Sequence, residues 1–289
     1  MRRRTVFVGS VAAIVSLTLT SAARSAAAQS PPDPPAAPEC VAPEAHIRLD
    51  HVPIAVADIG ALAERLTTGF GFSLKPGRRH ENGLENLHIR FRDGSALELM
   101  TVSGPGDALA RHYADLVADG GGGAYLALGG LPADSVLAFA GGVEPGLGVT
   151  RSAAFDWAGF PIGHPLHAVF FIDVHSRPPD LPEHLEHANG ARGLRAVWVA
   201  VEQPDRLVAF LERFGGRDCG RARHPEHLTG RAVGVRGGTV YVVDAGVWEA
   251  DPGSAPVLSV TVSGDRPGVR SMVLGEAGGL WLEVISPGN

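Results

Sequence analysis

From residue 47 onward, apolar residues recur in short runs whose spacing switches between two and three-to-four. Ile47 to Ala57 alternates as a strand, with Val52, Ile54 and Val56 on one face and Leu49, His51, Pro53 and Ala55 on the other. Asp58 then stands where a helix N-cap belongs. Leu62, Leu66 and Phe70 follow at helical spacing, and Gly69 and Gly71 end the helix. Asn86–Arg92 and Ser95–Val102 read as two strands joined by an Asp93-Gly94 turn. The unit is β-α-β-β-β.

The same order returns at Arg195–Glu202, Pro204–Phe214, Arg231–Val235 and Thr239–Ala245. An offset of 145 carries Val52 onto Val197, Val56 onto Val201, Leu62 onto Leu207, Leu66 onto Leu211 and Gly71 onto Gly216. Between the copies, Ala124–Gly129, Pro132–Ala140, Val149–Phe155 and Leu166–Val174 form another such unit, and Val257–Val262 with Leu280–Ser286 a shortened fourth. The fold class expected is α+β, with paired βαβββ units in two domains, 46–176 and 193–289, the second shortened. Residues 177–192 link them.

Composition changes this picture mainly at the N-terminus. Arg2–Arg4, an apolar run from Val6 to Leu19 and Ala26-Ala27-Ala28 have the three parts of a secretory signal peptide ending at residue 28. The run is shorter than the roughly 20 residues that span a bilayer. Pro- and Ala-rich residues 29–45 read as a tether. An exported protein without membrane attachment is therefore expected. Removing residues 1–28 takes away four arginines and no acid, so the net charge of −6 becomes −10. Such acidity excludes a nucleic-acid footprint. Lys75 is the single lysine among 25 basic residues. Export permits a disulfide between Cys40 and Cys219, and two separate thiols are equally open. Gly120–Gly123 lacks the order of a phosphate-binding loop, so no nucleotide cofactor is expected.

Leu49-Asp50-His51-Val52, Gly69-Phe70-Gly71-Phe72, the stretch Gly77 to Asn86 and Asp93-Gly94-Ser95-Ala96-Leu97-Glu98-Leu99 together resemble the glyoxalase-like members of the vicinal oxygen chelate superfamily. The resemblance is best over residues 47–102. It implies paired units around a cleft that holds one divalent metal (Zn, Mn, Fe or Ni), with ligands from first and last strands. His51 and Glu98 match those positions. The resemblance implies that Glu98 doubles as the catalytic proton shuttle. His167, with Asp173 as alternative, is the third-ligand candidate. A buried strand carboxylate also calls for a partner on physical grounds, and Arg90 is the competing choice. His80 and Asn86, on a Gly-flanked connection, suit contacts to a small polar substrate. Metal-assisted lyase, isomerase or dioxygenase chemistry follows from the resemblance.

The competing expectation is a small-molecule binding protein without catalysis. The later copy has Ala196 and Val242 or Val243 at the ligand positions, and the final strand carries Glu283. The cleft of such units closes within one chain or between two, so a homodimer stays open. His175, His184 and His187 read as part of a solvated linker, and His224 and His227 as a loop.

Overall fold

The protein is described from a computed structural model covering residues 40–140, 142, 144–224, 228–247, 255–277 and 279–286. The signal-peptide reading and residues 29–39 of the tether lie outside the described residues.

The first unit runs β1 (Arg48–Ala55), α1 (Ile59–Glu64, continued by a π-helical turn, Arg65–Gly69), β2 (Lys75–Arg79), β3 (Leu84–Arg90) and β4 (Ala96–Val102). Then come α2 (Ala108–Ala118) and the two-residue β5 (Gly122–Gly123). The second unit is β6 (Leu126–Gly129), α3 (Ala133–Ala140), β7 (Gly148–Arg151), β8 (Phe155–Gly159) and β9 (Val169–Val174). After α4 (Pro182–Leu185) come β10 (Ala191–Val201), α5 (Pro204–Arg213), β11 (Arg217–Arg223), β12 (Thr229–Val235) and β13 (Gly238–Asp244). The last strands are β14 (Val257–Gly264), β15 (Val269–Leu274) and β16 (Leu280–Ile285).

Asp58 caps α1 as its sequence position predicts, accepting from the Ala61 N–H at 2.9 Å. Because a helix separates β1 from β2, β4 can return parallel to β1; β13 lies parallel to β10 for the same reason. The two units of each half then pair through their first strands: β1 antiparallel to β6, and β10 antiparallel to β14. The strands therefore run β2-β3-β4-β1-β6-β9-β8-β7 in one half and β11-β12-β13-β10-β14-β16-β15 in the other, with β5 between β1 and β14. This is mixed α+β architecture. Among the described residues the fourth unit lacks its helix.

One face of the first-half sheet is packed under α1 and α3. Val52, Ile54, Ile89, Leu97, Leu99, Leu126, Leu128, Val169 and Phe171 meet Leu62, Leu66 and Val136 there, all buried. The period-two pattern dictates this, since each strand sends alternate side chains to that face. The other face, called the far face below, carries the candidate site.

Helix α2 covers part of the far face and is an element that the strand-and-helix pattern above did not include. Asp107 caps it, and its buried stripe Ala110, Tyr113 and Leu116 packs with Ala55, Met100, Ala127 and Phe170. No helix among the described residues is long and apolar enough to cross a membrane.

Two stretches read as solvated are packed. Cys40, Ala42 and Ala45, at the end of the expected tether, are buried, and Cys40 is bonded to Cys219. His187 of the linker is buried between Phe72 and Phe91. Its Nδ1 accepts from the Ser73 N–H at 3.0 Å and its Nε2 faces the Arg90 carbonyl oxygen at 2.9 Å. An imidazole with one acceptor and one donor nitrogen satisfies both strand ends at once.

Candidate functional site

The alternation of β1 breaks at its start. Leu49 packs in the helix-side core, and so does Val52, three residues on. An odd spacing between two residues of one face requires a bulge, and the β1–β6 register shifts between Leu49 and His51. Leu49 therefore leaves the face on which strict alternation placed it, and Asp50 joins His51 among the groups of the site. Gly129 makes room for this: a Cβ there would lie 2.7 Å from Asp50 Oδ2.

Directly opposed residues of neighbouring strands share a face. Lys75 opposes His88, His88 opposes Glu98, Arg90 opposes Ala96, and Ala96 opposes His51. The far face thus gathers Lys75, His88, Arg90, Glu98 and His51 on four adjacent strands. Phe170 meets the His51 ring edge-on with centroids 5.6 Å apart, and Trp157 lies beyond it.

His51 sits between two carboxylates. Its Nδ1–H donates to Asp50 Oδ1 at 2.9 Å, and its Nε2 stands 3.4 Å from Glu98 Oε2. Asn86 Nδ2 donates to Glu98 Oε1 at 2.6 Å and stands 3.3 Å from His88 Nε2. The Arg78 N–H donates to Asn86 Oδ1 at 2.8 Å, which fixes which way the amide points. Arg48 closes the chain with an ion pair to Asp50 at 2.8 Å.

Burial works against the His51 imidazolium, but the hydrogen bonds and charges of Asp50 and Glu98 raise it to about 9. Burial likewise works against the Glu98 carboxylate, and His51 outweighs it, holding Glu98 at about 2. Asp50 is lowered by His51 and Arg48 against the same burial cost. His88 is pushed down, by burial first, and stays neutral. Burial, with the Glu98 charge behind it, raises the Tyr113 hydroxyl.

The expected site residues separate. His51, Glu98 and Asn86 come together, with Asn86 inside β3 rather than on a loop. Glu98 takes His51 and Asn86 as partners and not Arg90, which faces Asp180. His80 stays in the β2–β3 turn, where its N–H donates to the Leu84 carbonyl at 2.7 Å. Its Nε2 is buried without a hydrogen-bond partner.

His167 does not complete a metal triad. It lies in the turn before β9, its Nδ1 is held by the His164 carbonyl at 2.8 Å, and its ring faces His112. The strand position opposite His51 is Ala127, which has no donor atom. Asp173 lies in β9, in register with Asp156. Among the described residues no three His, Cys, Asp or Glu side chains converge as ligands. The donor set present does not fit a resident divalent metal, for which three protein ligands are usual. In the later half, Glu283 Oε1 accepts from the Thr261 hydroxyl at 2.6 Å and is satisfied within the sheet.

Asp50, His88 and Arg90 were missed as site residues. Leu49 and Val52 at odd spacing signalled the bulge. Asn86, His88 and Arg90 at spacing two signalled a polar strand face.

Strand β2 must lie close over Asn86 for this arrangement. A Cβ on Gly77 would fall 2.0 Å from the Asn86 carbonyl oxygen and 2.2 Å from its Oδ1. Gly77→Ala is therefore expected to cost about 1–3 kcal/mol in urea unfolding. Gly104→Ala, with nothing within 4 Å, is expected to change stability by less than about 0.5 kcal/mol.

A family model described as a glyoxalase-like domain matches residues 49–215. No curated protein matches the chain significantly. Among solved structures, a hypothetical protein from Staphylococcus aureus superposes with TM-score 0.59 at 11% identity, over 83% of this chain and 99% of that one. A variant of 4-hydroxymandelate synthase from Streptomyces coelicolor gives 0.54 at 14%, over 82% and 91%. A variant of homoprotocatechuate 2,3-dioxygenase from B. fuscum gives 0.51 at 14%, over 86% and 73%. At these identities the likeness is one of fold.

Proposed function

The chain belongs to the glyoxalase-like domain family, of the vicinal oxygen chelate superfamily, and from that premise we propose that it is an exported binding protein for a small oxygenated molecule. The observation that carries this reading is that, among the described residues, no third metal-ligating side chain converges on His51 and Glu98. Asn86 further ties Glu98 to His88. A metal would have to enter between His51 Nε2 and Glu98, leaving the Asp50 bond to Nδ1 in place, and find a third donor where Ala127 stands. The far face retains what a binding site needs: an aromatic floor, fixed polar groups and an adjoining cavity of about 700 Å³. The Cys40–Cys219 disulfide supports the export reading, because such bonds persist in oxidising compartments.

Metal-assisted lyase, isomerase or dioxygenase chemistry is the second reading. It draws on His51 and Glu98 meeting at 3.4 Å from the first and last strands of one unit. Elemental analysis after incubation with Zn, Mn, Fe(II) or Ni and dialysis separates the two. The expected result is metal far below one equivalent, unchanged in His51→Ala/Glu98→Ala. One equivalent that disappears in the double variant would overturn the binding reading in favour of the second.

A further inference from the structure

Three cations crowd one carboxylate at the rim of the far face. Lys75 Nζ lies 2.7 Å from Asp180 Oδ1 and donates to the carbonyl oxygens of Pro178 (2.8 Å) and Pro179 (3.2 Å). Arg90 Nε stands 3.5 Å, and an Arg177 guanidinium nitrogen 3.6 Å, from Asp180 Oδ2. The side chains of Lys75, Arg90 and Asp180 are 11%, 8% and 13% exposed, so these charges have little water around them. Strand register makes the cluster part of the same face as Glu98, since Lys75 opposes His88 and His88 opposes Glu98.

The charges do not balance locally. Asp50 is held by Arg48 and His51, and Glu98 by His51 and Asn86. That leaves Asp180 to face three cations. Arg90 Nη2 donates to the Gly94 carbonyl oxygen at 2.9 Å, but its Nε, in a side chain more than nine-tenths buried, has only the 3.5 Å ion pair with Asp180 and no hydrogen bond. A buried donor in this state lacks a hydrogen bond that a second acceptor oxygen would supply. Arg177 also borders the cavity of about 700 Å³, together with Arg48, Asp50 and Ile172. Of the three anion-holding donors, Arg177 therefore stands beside space for the body of a small molecule, and Lys75 and Arg90 meet it at Asp180.

We propose that Lys75, Arg90 and Arg177 form a carboxylate-binding site for a small organic acid, and that Asp180 occupies it until the acid's carboxylate takes its place. The inference deepens the binding reading and rests on it, adding the charge of the ligand. The Pro178–Asp180 segment is then an internal competitor that lowers affinity for every acid equally. Body shape is selected in the cavity. Arginine and lysine donors suit a carboxylate, and Asp180 shows that this cluster accepts one.

Isothermal titration of benzoate, with benzamide as the uncharged control, tests this on the full chain. Asp180→Asn is expected to bind benzoate at least tenfold more tightly than the native protein, with no gain for benzamide. Adding Lys75→Met should abolish the gain. Asp180→Ser serves if the asparagine variant does not fold. In the native protein, saturating benzoate should speed hydrogen exchange across residues 178–187. Equal benzoate affinity in native and Asp180 variants, a gain that survives Lys75→Met, a matching gain for benzamide, or unchanged exchange would each overturn the proposal. None of these outcomes bears on whether His51 and Glu98 hold a metal, which elemental analysis decides separately.

Discussion

Glu98→Leu is expected to destabilise the protein by about 3 kcal/mol at pH 6, the lower end of the range for breaking a buried ion pair. The penalty comes from what is left behind. His51 stays charged at that pH and loses its partner at Nε2, and Asn86 Nδ2 loses the acceptor 2.6 Å away. Asp50 still holds Nδ1, which keeps the loss from reaching the upper end. His51→Leu/Glu98→Leu removes both charges, so the double variant should be more stable than the sum of the single losses predicts.

The pH dependence has a defined sign. His51 is raised from 6.5 to about 9, so its contribution is complete below about 6.5 and is lost as pH rises through 9. Glu98 is lowered from 4.5 to about 2, so its contribution is complete above about 4.5 and is lost as pH falls through 2. Both are present between about pH 4.5 and 6.5. The Glu98→Leu penalty should accordingly shrink by pH 10, where His51 is neutral in the native protein. Urea titrations at pH 6 and pH 10 check this. An equal penalty at both would show that the pair carries no charge.

Much of this site was legible in the residues, and the reasons are specific. Leu97 and Leu99 must face the helices, so Glu98 had to lie on the far face, and it does. His51 followed from the same alternation. Where the reading failed, a local rule gave way to a non-local one. Leu49 broke parity through a bulge set by its pairing with β6, of which its odd spacing from Val52 was the one local sign. His167 sits two residues before β9, outside the strand geometry that aims ligands. Asp180 lies in a Pro-rich stretch whose composition says linker. Its burial depends on Lys75 and Arg90, which lie about a hundred residues earlier in the chain. The helix α2 has an N-cap at Asp107 and a buried stripe at spacing three, so its omission was a missed pattern rather than a missing one.

Reducing the Cys40–Cys219 bond is expected to lower stability by about 4–5 kcal/mol, the largest single effect anticipated for this chain. The two cysteines are 179 residues apart, and in the chain-entropy account a loop of that length loses much conformational freedom when closed. The bond also fixes a short segment in the fold. Val41 accepts from Arg217, the Ala42 N–H donates to the Val235 carbonyl at 3.1 Å, and the His46 N–H donates to that of Phe214 at 2.9 Å. Cys40–His46 thereby ties the entry to β1 onto strands and helix of the later half. A chain of this size shifts its melting temperature by roughly 2–4 °C per kcal/mol, so reductant should lower it by roughly 8–20 °C. Cys219→Ser, at an exposed position, should reproduce the loss without placing a hydroxyl in the core. Calorimetry with and without reductant, beside thiol counting on the native protein, reads both. Two free thiols and an unchanged melt would mean that the noncovalent contacts of Cys40–His46 suffice. A loss of the expected size would mean that full stability requires an oxidising compartment, the condition that the export reading supplies.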